Sequence, residues 1–115
     1  MDFKKFKTIP EAILEYKDSQ KTAVCCGEEA LSYHELIRDS RRFALALKKE
    51  GIGKGSYVML CMTRSTRLMT ALLGILYAGA AYVAVDPEWP KSRLDFIKQD
   101  CGNALVLDDK LFYAM

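Results

Sequence analysis

Arg64, Ser65, Thr66 and Arg67 set two guanidinium groups beside two hydroxyls directly after the apolar run Tyr57 to Met62 (YVMLCM). If that run is a strand and Ser65 opens a helix, the four residues lie past the carboxyl end of a strand and at a helix amino terminus. Open α/β sheets place ligands there, and helix dipoles attract anions there. Anion binding is one chemistry these letters allow; helix capping by Ser65 with solvated arginines is the other. Gly51 to Gly55 (GIGKG) has the look of a phosphate cradle, but it follows a helical segment and precedes a strand. A nucleotide-binding glycine loop has the opposite order, so GIGKG reads as a helix-to-strand turn.

The remaining reactive side chains carry less. His34 has no nucleophile or metal partner nearby in sequence and reads as a solvent-facing structural residue in the first turn of a helix. Cys25, Cys26, Cys61 and Cys101 show no C-x-x-C spacing, so neither a zinc site nor a disulfide frame is indicated. They read as small buried hydrophobes of a reducing compartment, with Cys25 and Cys26 on opposite faces of a strand. Trp89, in the stiff turn DPEWP, is a candidate anchor for a packing partner. Lys4, Lys5 and Lys7 read as a solvated, frayed terminus. No catalytic residue and no metal ligand is assigned within the chain, and its cofactor-binding residues are left unassigned.

The elements that must position these groups follow from period and punctuation. Pro10 to Tyr16 predicts a short amphipathic helix, and TAVCC and LSY predict a hairpin across a GEEA turn. Ser32 and Glu35 form the S-x-x-E pattern of a capping box, which starts a helix whose inner face is Tyr33, Leu36, Ile37, Ser40, Phe43, Ala44 and Leu47. Arg38, Arg41, Arg42 and Lys49 face away, and Gly51 suits the left-handed position after the helix. Tyr57 to Met62, Ala81 to Val85 and Ala104 to Leu107 are apolar enough for strands covered on both faces. Between them, Ser65 to Ala78 and Lys91 to Cys101 have helical spacing. The fold class is therefore α/β: a three-layer open sheet with a parallel βαβαβ core, preceded by a short helix and a hairpin, with right-handed crossovers.

Composition narrows the classes further. A chain of 115 residues, half of them hydrophobic and with three prolines, holds one core and is not a disordered or low-complexity segment. A net charge of +2 gives no footprint for nucleic acid. The opening MDFKKFKTIP lacks the apolar stretch of a secretory signal, so the expected location is cytoplasmic. Leu68 to Val85 carries no charge, but Gly79 divides it into a helical and a β-like half, and no membrane span is expected.

Leu31 to Leu47 followed by Gly51 to Ser65 resembles the first motif region of adenylate-forming enzymes, most closely the amino-acid adenylation domains of nonribosomal peptide synthetases. Leu72 to Ile97 (LLGILYAGAAYVAVDPEWPKSRLDFI) is similar to their second motif, written around L-x-A-G-x-A-Y-V-P-x-D-P. The likeness runs from about Thr8 to Asp109. Tyr77 stands where the family commonly has lysine, and Ala84 where it usually has proline. The resemblance implies a reaction of carboxylate with ATP to an acyl-adenylate and pyrophosphate, then transfer to a carrier-protein thiol, with ATP and magnesium as cofactors of the complete domain. It also implies that the phosphate loop, the substrate pocket, the ribose-binding aspartate and the lysine of the small C-terminal domain lie beyond Met115.

Residues 1–115 are accordingly expected to be one partial domain, the N-terminal portion of an adenylation domain and inactive alone, with residues 1–7 frayed. Its partners would be the remainder of that domain or a complementary fragment. An alternative is a free-standing interaction module that pairs with such a fragment or with itself through an exposed sheet edge, giving a homo-oligomer. A compact nucleotide-binding or response-regulator-like domain is a third reading, disfavoured because no phosphate loop follows the first parallel strand.

Overall fold

A computed structural model describes residues 9–102 and 104–115. In chain order these form α1 (Ile9–Leu14), β1 (Thr22–Cys26), β2 (Glu29–Ser32), α2 (Tyr33–Lys49), β3 (Tyr57–Cys61), α3 (Thr66–Tyr77), β4 (Ala81–Ala84), α4 (Lys91–Asp100), β5 (Leu105–Asp108) and α5 (Asp109–Ala114). The frayed-terminus assignment, with Lys4, Lys5 and Lys7, lies outside the described residues.

Strands β1 and β2 pair antiparallel as a separate hairpin, with Cys26 opposite Glu29 and Gly27 at a positive φ of 62°. The turn is thus shorter than the sequence implies, because Glu29 and Ala30 belong to the strand. Ser32 then hands the chain to α2 through the foreseen capping box. Its hydroxyl accepts from the Glu35 amide at 3.1 Å, and the Glu35 carboxylate accepts from the Ser32 amide at 3.1 Å. Leu36, Ile37, Ser40, Phe43, Ala44 and Leu47 are buried, whereas Tyr33 is half-buried and stacks on Tyr16 with ring centroids 5.0 Å apart.

Two helices end in the same way. After α2, the Gly51 amide donates to Lys48 and the Ile52 amide to Leu47; after α3, the Gly79 amide donates to Leu76 and the Ala80 amide to Ile75. These are Schellman closures, and they require the positive φ of 84° at Gly51 and 88° at Gly79. Gly79 therefore turns the uncharged stretch from helix into strand, and among the described residues no helix is long and apolar enough to cross a membrane.

The main sheet has the order β4, β3, β5, all parallel, with Val58 opposite both Tyr82 and Leu105. Alternation on the central strand divides two layers of core. Val58 and Leu60, with Leu107, face α2 and α3 through Phe43, Leu47, Ala71 and Ile75. Met59, with Val85 and Ala104, faces α4 through Leu94, Ile97 and Cys101. Two crossovers that run in opposite directions along a sheet with the same hand must put their helices on opposite faces. That is why α3 and α4 flank β3, and why β3 reads as an unbroken apolar run.

At β4 the Ala81 and Val85 amides donate inward, to Ser56 and Leu60. Alternation then turns the Ala84 amide outward, away from β3. The extra donor that Ala84 supplies where the family favours proline therefore takes no part in the ladder.

Helix α5 is not foreseen by the sequence reading, which ends with the third parallel strand. Asp108 makes it: its carboxylate accepts from the Leu111 amide at 2.8 Å. Phe112 then packs on Phe43 with centroids 4.9 Å apart.

Candidate functional site

Parallel sheets carry ligands at the carboxyl ends of their strands, at the point where strand order reverses. Here the chain leaves β3 toward β4 and returns across it to β5, so the reversal falls between β3 and β5. Asp109 closes that crevice. Its Oδ2 accepts from the Thr63 amide at 3.2 Å and from the Thr63 hydroxyl at 2.9 Å, tying the end of β3 to the end of β5.

A depression of about 450 Å³ remains beside it, between the ends of β3 and β4, lined by Met62, Thr63, Arg64, Leu68, Val85 and the Asp86 to Glu88 turn. Arg64 is exposed there and shares the lining with Asp86 and Glu88, so the charge of the depression does not match a polyanion. The Asp86 carboxylate accepts from the Glu88 amide at 2.9 Å, which shapes the turn.

The other three residues of the Arg64 to Arg67 loop are engaged inward. The Ser65 hydroxyl accepts from the Leu68 amide at 3.3 Å and donates to the Thr63 carbonyl at 3.4 Å. Thr66 Oγ1 and Arg67 both meet Glu29 Oε2 of the hairpin, at 3.4 and 3.0 Å. The Arg67 guanidinium also sits over the Tyr113 ring, 5.3 Å from its centroid. Of the two open readings of this loop, the structure makes Ser65 a cap and Arg67 a brace between β2, α3 and α5. Its donors do not converge on one point, so the residues present do not fit a nucleotide triphosphate.

GIGKG lies at the amino ends of the strands, at the opposite end of the sheet. The Ser56 amide donates to the Gly53 carbonyl and the Gly53 amide to the Ser56 hydroxyl, a closed turn between α2 and β3. His34 is half-buried rather than solvent-facing: its Nδ1 donates to the Lys17 carbonyl at 2.9 Å, fixing the start of α2 to the segment after α1. Trp89 finds its packing within the chain. Half-buried, it joins the core layer of Met59 and Val85 while the Arg93 guanidinium covers its ring at 4.0 Å.

The four thiols are free, and none is fully buried: Cys25 is exposed and the other three are half-buried, which corrects the expectation of buried hydrophobes. Partial desolvation pushes the Cys61 thiol up, and Asp108, Asp109 and Asp86 push it in the same direction. A raised thiol is a poor nucleophile at neutral pH. Desolvation also raises the Tyr77 phenol, with Arg41 pulling weakly the other way. Among the described residues no group of three or more His, Cys, Asp or Glu side chains could hold a metal. The inward bracing of Arg67 and the Asp109 bridge were missed by sequence reasoning. The DDKLF string, an acidic cap before an apolar turn, was the signal available for α5 and its bridge.

Comparison with known proteins agrees in extent and topology. The profile described as AMP-binding enzyme matches residues 14–113. Surfactin synthase subunit 1 of Bacillus subtilis is 40% identical over 111 residues, which is 95% of this chain and 3% of that protein. The solved N-terminal subdomain of Klebsiella oxytoca NpsA, in complex with 3-hydroxyanthranilyl-AMSN, superposes with a TM-score of 0.82 at 22% identity, covering 90% of this chain and 27% of that one. NpsA-ThdA, an artificially fused adenylation-PCP di-domain from the same organism, gives 0.83 at 20% identity over 92% of this chain and 23% of that one. The chain thus spans a small share of each relative.

Proposed function

We propose, from the premise that this chain belongs to the AMP-binding enzyme family, that it is the N-terminal scaffold segment of a nonribosomal-peptide-synthetase-type amino-acid adenylation domain. The complete domain would condense a carboxylate with ATP to an acyl-adenylate, releasing pyrophosphate, and pass the acyl group to a carrier-protein thiol. ATP and magnesium would serve that domain, and the carrier protein and the rest of the domain would be its partners. Similarity to a peptide synthase over nearly the whole chain supports the class, and the solved adenylation-PCP fusion supports the carrier as acceptor. The free thiols support a reducing, cytoplasmic setting.

One observation carries the reading that this segment is scaffold and not reaction centre. The loop at the end of β3 spends Ser65 on a cap and Arg67 on Glu29 and Tyr113, leaving no convergent set of donors for phosphates. The test is amino-acid-dependent ATP–pyrophosphate exchange, first on this chain alone and then after mixing with a polypeptide supplying the rest of an adenylation domain. Exchange should be absent in the first and present in the second; turnover by the isolated chain overturns the reading.

The outer edge of β4 favours a second role, an interaction module that pairs with a complementary fragment or with itself. The Ala84 amide points outward there and Tyr82 is 38% exposed. Sedimentation over a wide concentration range tests it, and a strictly monomeric mass that is unchanged by the complementary polypeptide removes it.

A further inference from the structure

Strand β4 is the strand of the main sheet farthest from β5, whose far end leads into α5 and Met115. Its outer edge is not blunted by its residues: the 4 residues Ala81 to Ala84 include no charge and no proline, and the pairing with β3 runs without a bulge. Ala81, Tyr82 and Ala84 are exposed. Because the Ala81 and Val85 amides are spent on Ser56 and Leu60, alternation sends the N–H and C=O of both Tyr82 and Ala84 outward, on either side of Val83. Shortness is the restraint that this edge does carry.

That arrangement is symmetric about Val83, so an antiparallel copy of the same strand answers it. With Val83 placed opposite Val83 of a second copy, Tyr82 of each chain falls opposite Ala84 of the other, and each such pair exchanges its N–H and C=O groups in hydrogen bonds. Val83 belongs to the layer of Met59 and Val85, so the valines meet as a close β-branched pair on the α4 side, while each Tyr82 lies beside a small Ala84 on the other side. The strand ends match in charge as well. The same register brings Asp86 of one chain opposite Ala80 of the other, next to Gly79. A Cβ built on Gly79 would stand 3.7 Å from the Lys54 amide nitrogen, so Lys54 adjoins that place. Lys54 and Asp86 are exposed, and among the described residues neither stands in a salt bridge. Arg64 shares a hollow with Asp86 but forms no ion pair with it, and Asp100 lines a hollow with Gly55 and Tyr57 that no residue of β4 lines.

We propose that β4 pairs antiparallel with β4 of a second copy, so that the two sheets join as one across a two-fold axis at Val83. The inference rests on the interaction-module reading, and of the partners open there it selects a second copy. A foreign strand could take the same backbone bonds, but it would not bring Lys54 to Asp86 at both ends. Two short strands make a weak dimer that forms as protein concentration rises.

Sedimentation and amide hydrogen exchange of the unsubstituted chain over a wide concentration range test it. The mass should rise toward that of a dimer, and the Tyr82 and Ala84 amides should exchange more slowly as it does. Ala84→Pro removes an outward donor that has no ladder partner within the chain, so it should leave circular dichroism unchanged and raise the dissociation constant about tenfold or more. Lys54→Glu and Asp86→Lys should each weaken self-association about threefold or more. An equal mixture of the two variants should recover it, because each chain then meets the opposite charge at both ends. A dimer whose Tyr82 and Ala84 amides exchange as fast as in the monomer, one indifferent to Ala84→Pro, or a mixture that associates no better than its components overturns the proposal and leaves the interaction-module reading standing. A chain that stays monomeric alone but binds the complementary polypeptide has the same consequence. A chain that does neither removes both.

Discussion

Gly74 of α3 meets α2 so closely that a Cβ built on it would stand 2.7 Å from Phe43 Cδ2 and 3.1 Å from the carbonyl oxygen of Ser40. The Phe43 ring can turn aside, but the Ser40 carbonyl is backbone and yields only if α2 moves. Gly74→Ala therefore forces apart the two helices that cover one face of the sheet. Overpacking of this kind costs about 1–3 kcal/mol, and alanine's better helix propensity returns about 1 kcal/mol. A net loss of up to about 2 kcal/mol is expected in urea unfolding, partly recovered when Phe43→Leu is added. A raised midpoint in the single variant would mean that the helices do not approach this closely.

The capping box at Ser32 and Glu35 gives stability a defined pH dependence. The Ser32 backbone amide, and after it the Ser32 hydroxyl, holds the Glu35 carboxyl below its ordinary value of 4.5. A group depressed in the folded state contributes stability that is present above its unfolded pKa and lost as pH falls through the folded one. Glu35→Gln should therefore lower the melting temperature at neutral pH and make no difference in strong acid. A gap of the same size at both ends of the titration would show that the carboxylate charge has no part in it. Ser32→Ala, which removes the cap itself, should cost about 1 kcal/mol at neutral pH.

What was legible in the sequence was set by local rules. The capping box, the Schellman glycines and the apolar run of β3 each specify their element within a few residues, and the βαβαβ order follows from them. The strand-end loop was not legible in the same way, because its fate depends on residues far along the chain. Arg67 is claimed by Glu29, 38 positions away, and Thr63 by Asp109, 46 positions away. Capping and anion binding call for the same letters, so only those distant partners separate them. His34 was misplaced for the same reason: the Lys17 carbonyl that holds it is backbone, which leaves no trace in residue type.

The Asp109 bridge should govern local opening at the strand ends. Asp109→Ala removes two hydrogen bonds from Thr63, at an expected cost of about 1 kcal/mol because the pair is exposed. The Thr63 amide should then exchange with deuterium faster, while the amide of Leu60, in the middle of the buried strand, keeps its protection. Equal acceleration at both sites would mean that the whole sheet depends on Asp109, and no acceleration at Thr63 would mean that the bridge does not form.

The carboxylates near the strand ends should also be readable through Cys61. Desolvation raises this thiol first, and Asp108, Asp109 and Asp86 follow in that order. Because Cys61 is half-buried, slow alkylation at one pH would mix poor access with a scarce thiolate. The rate with iodoacetamide across pH separates them: the alkaline plateau reports access alone, and the midpoint reports ionisation. Asp108→Asn removes one negative charge, so the midpoint for Cys61 should move to lower pH while the plateau stays in place. Asp108 also caps α5, so Asp86→Asn serves as the variant that leaves that helix intact and should shift the midpoint in the same direction by less. If neither variant moves the midpoint, the thiol is raised by burial alone and the strand-end carboxylates do not act on it.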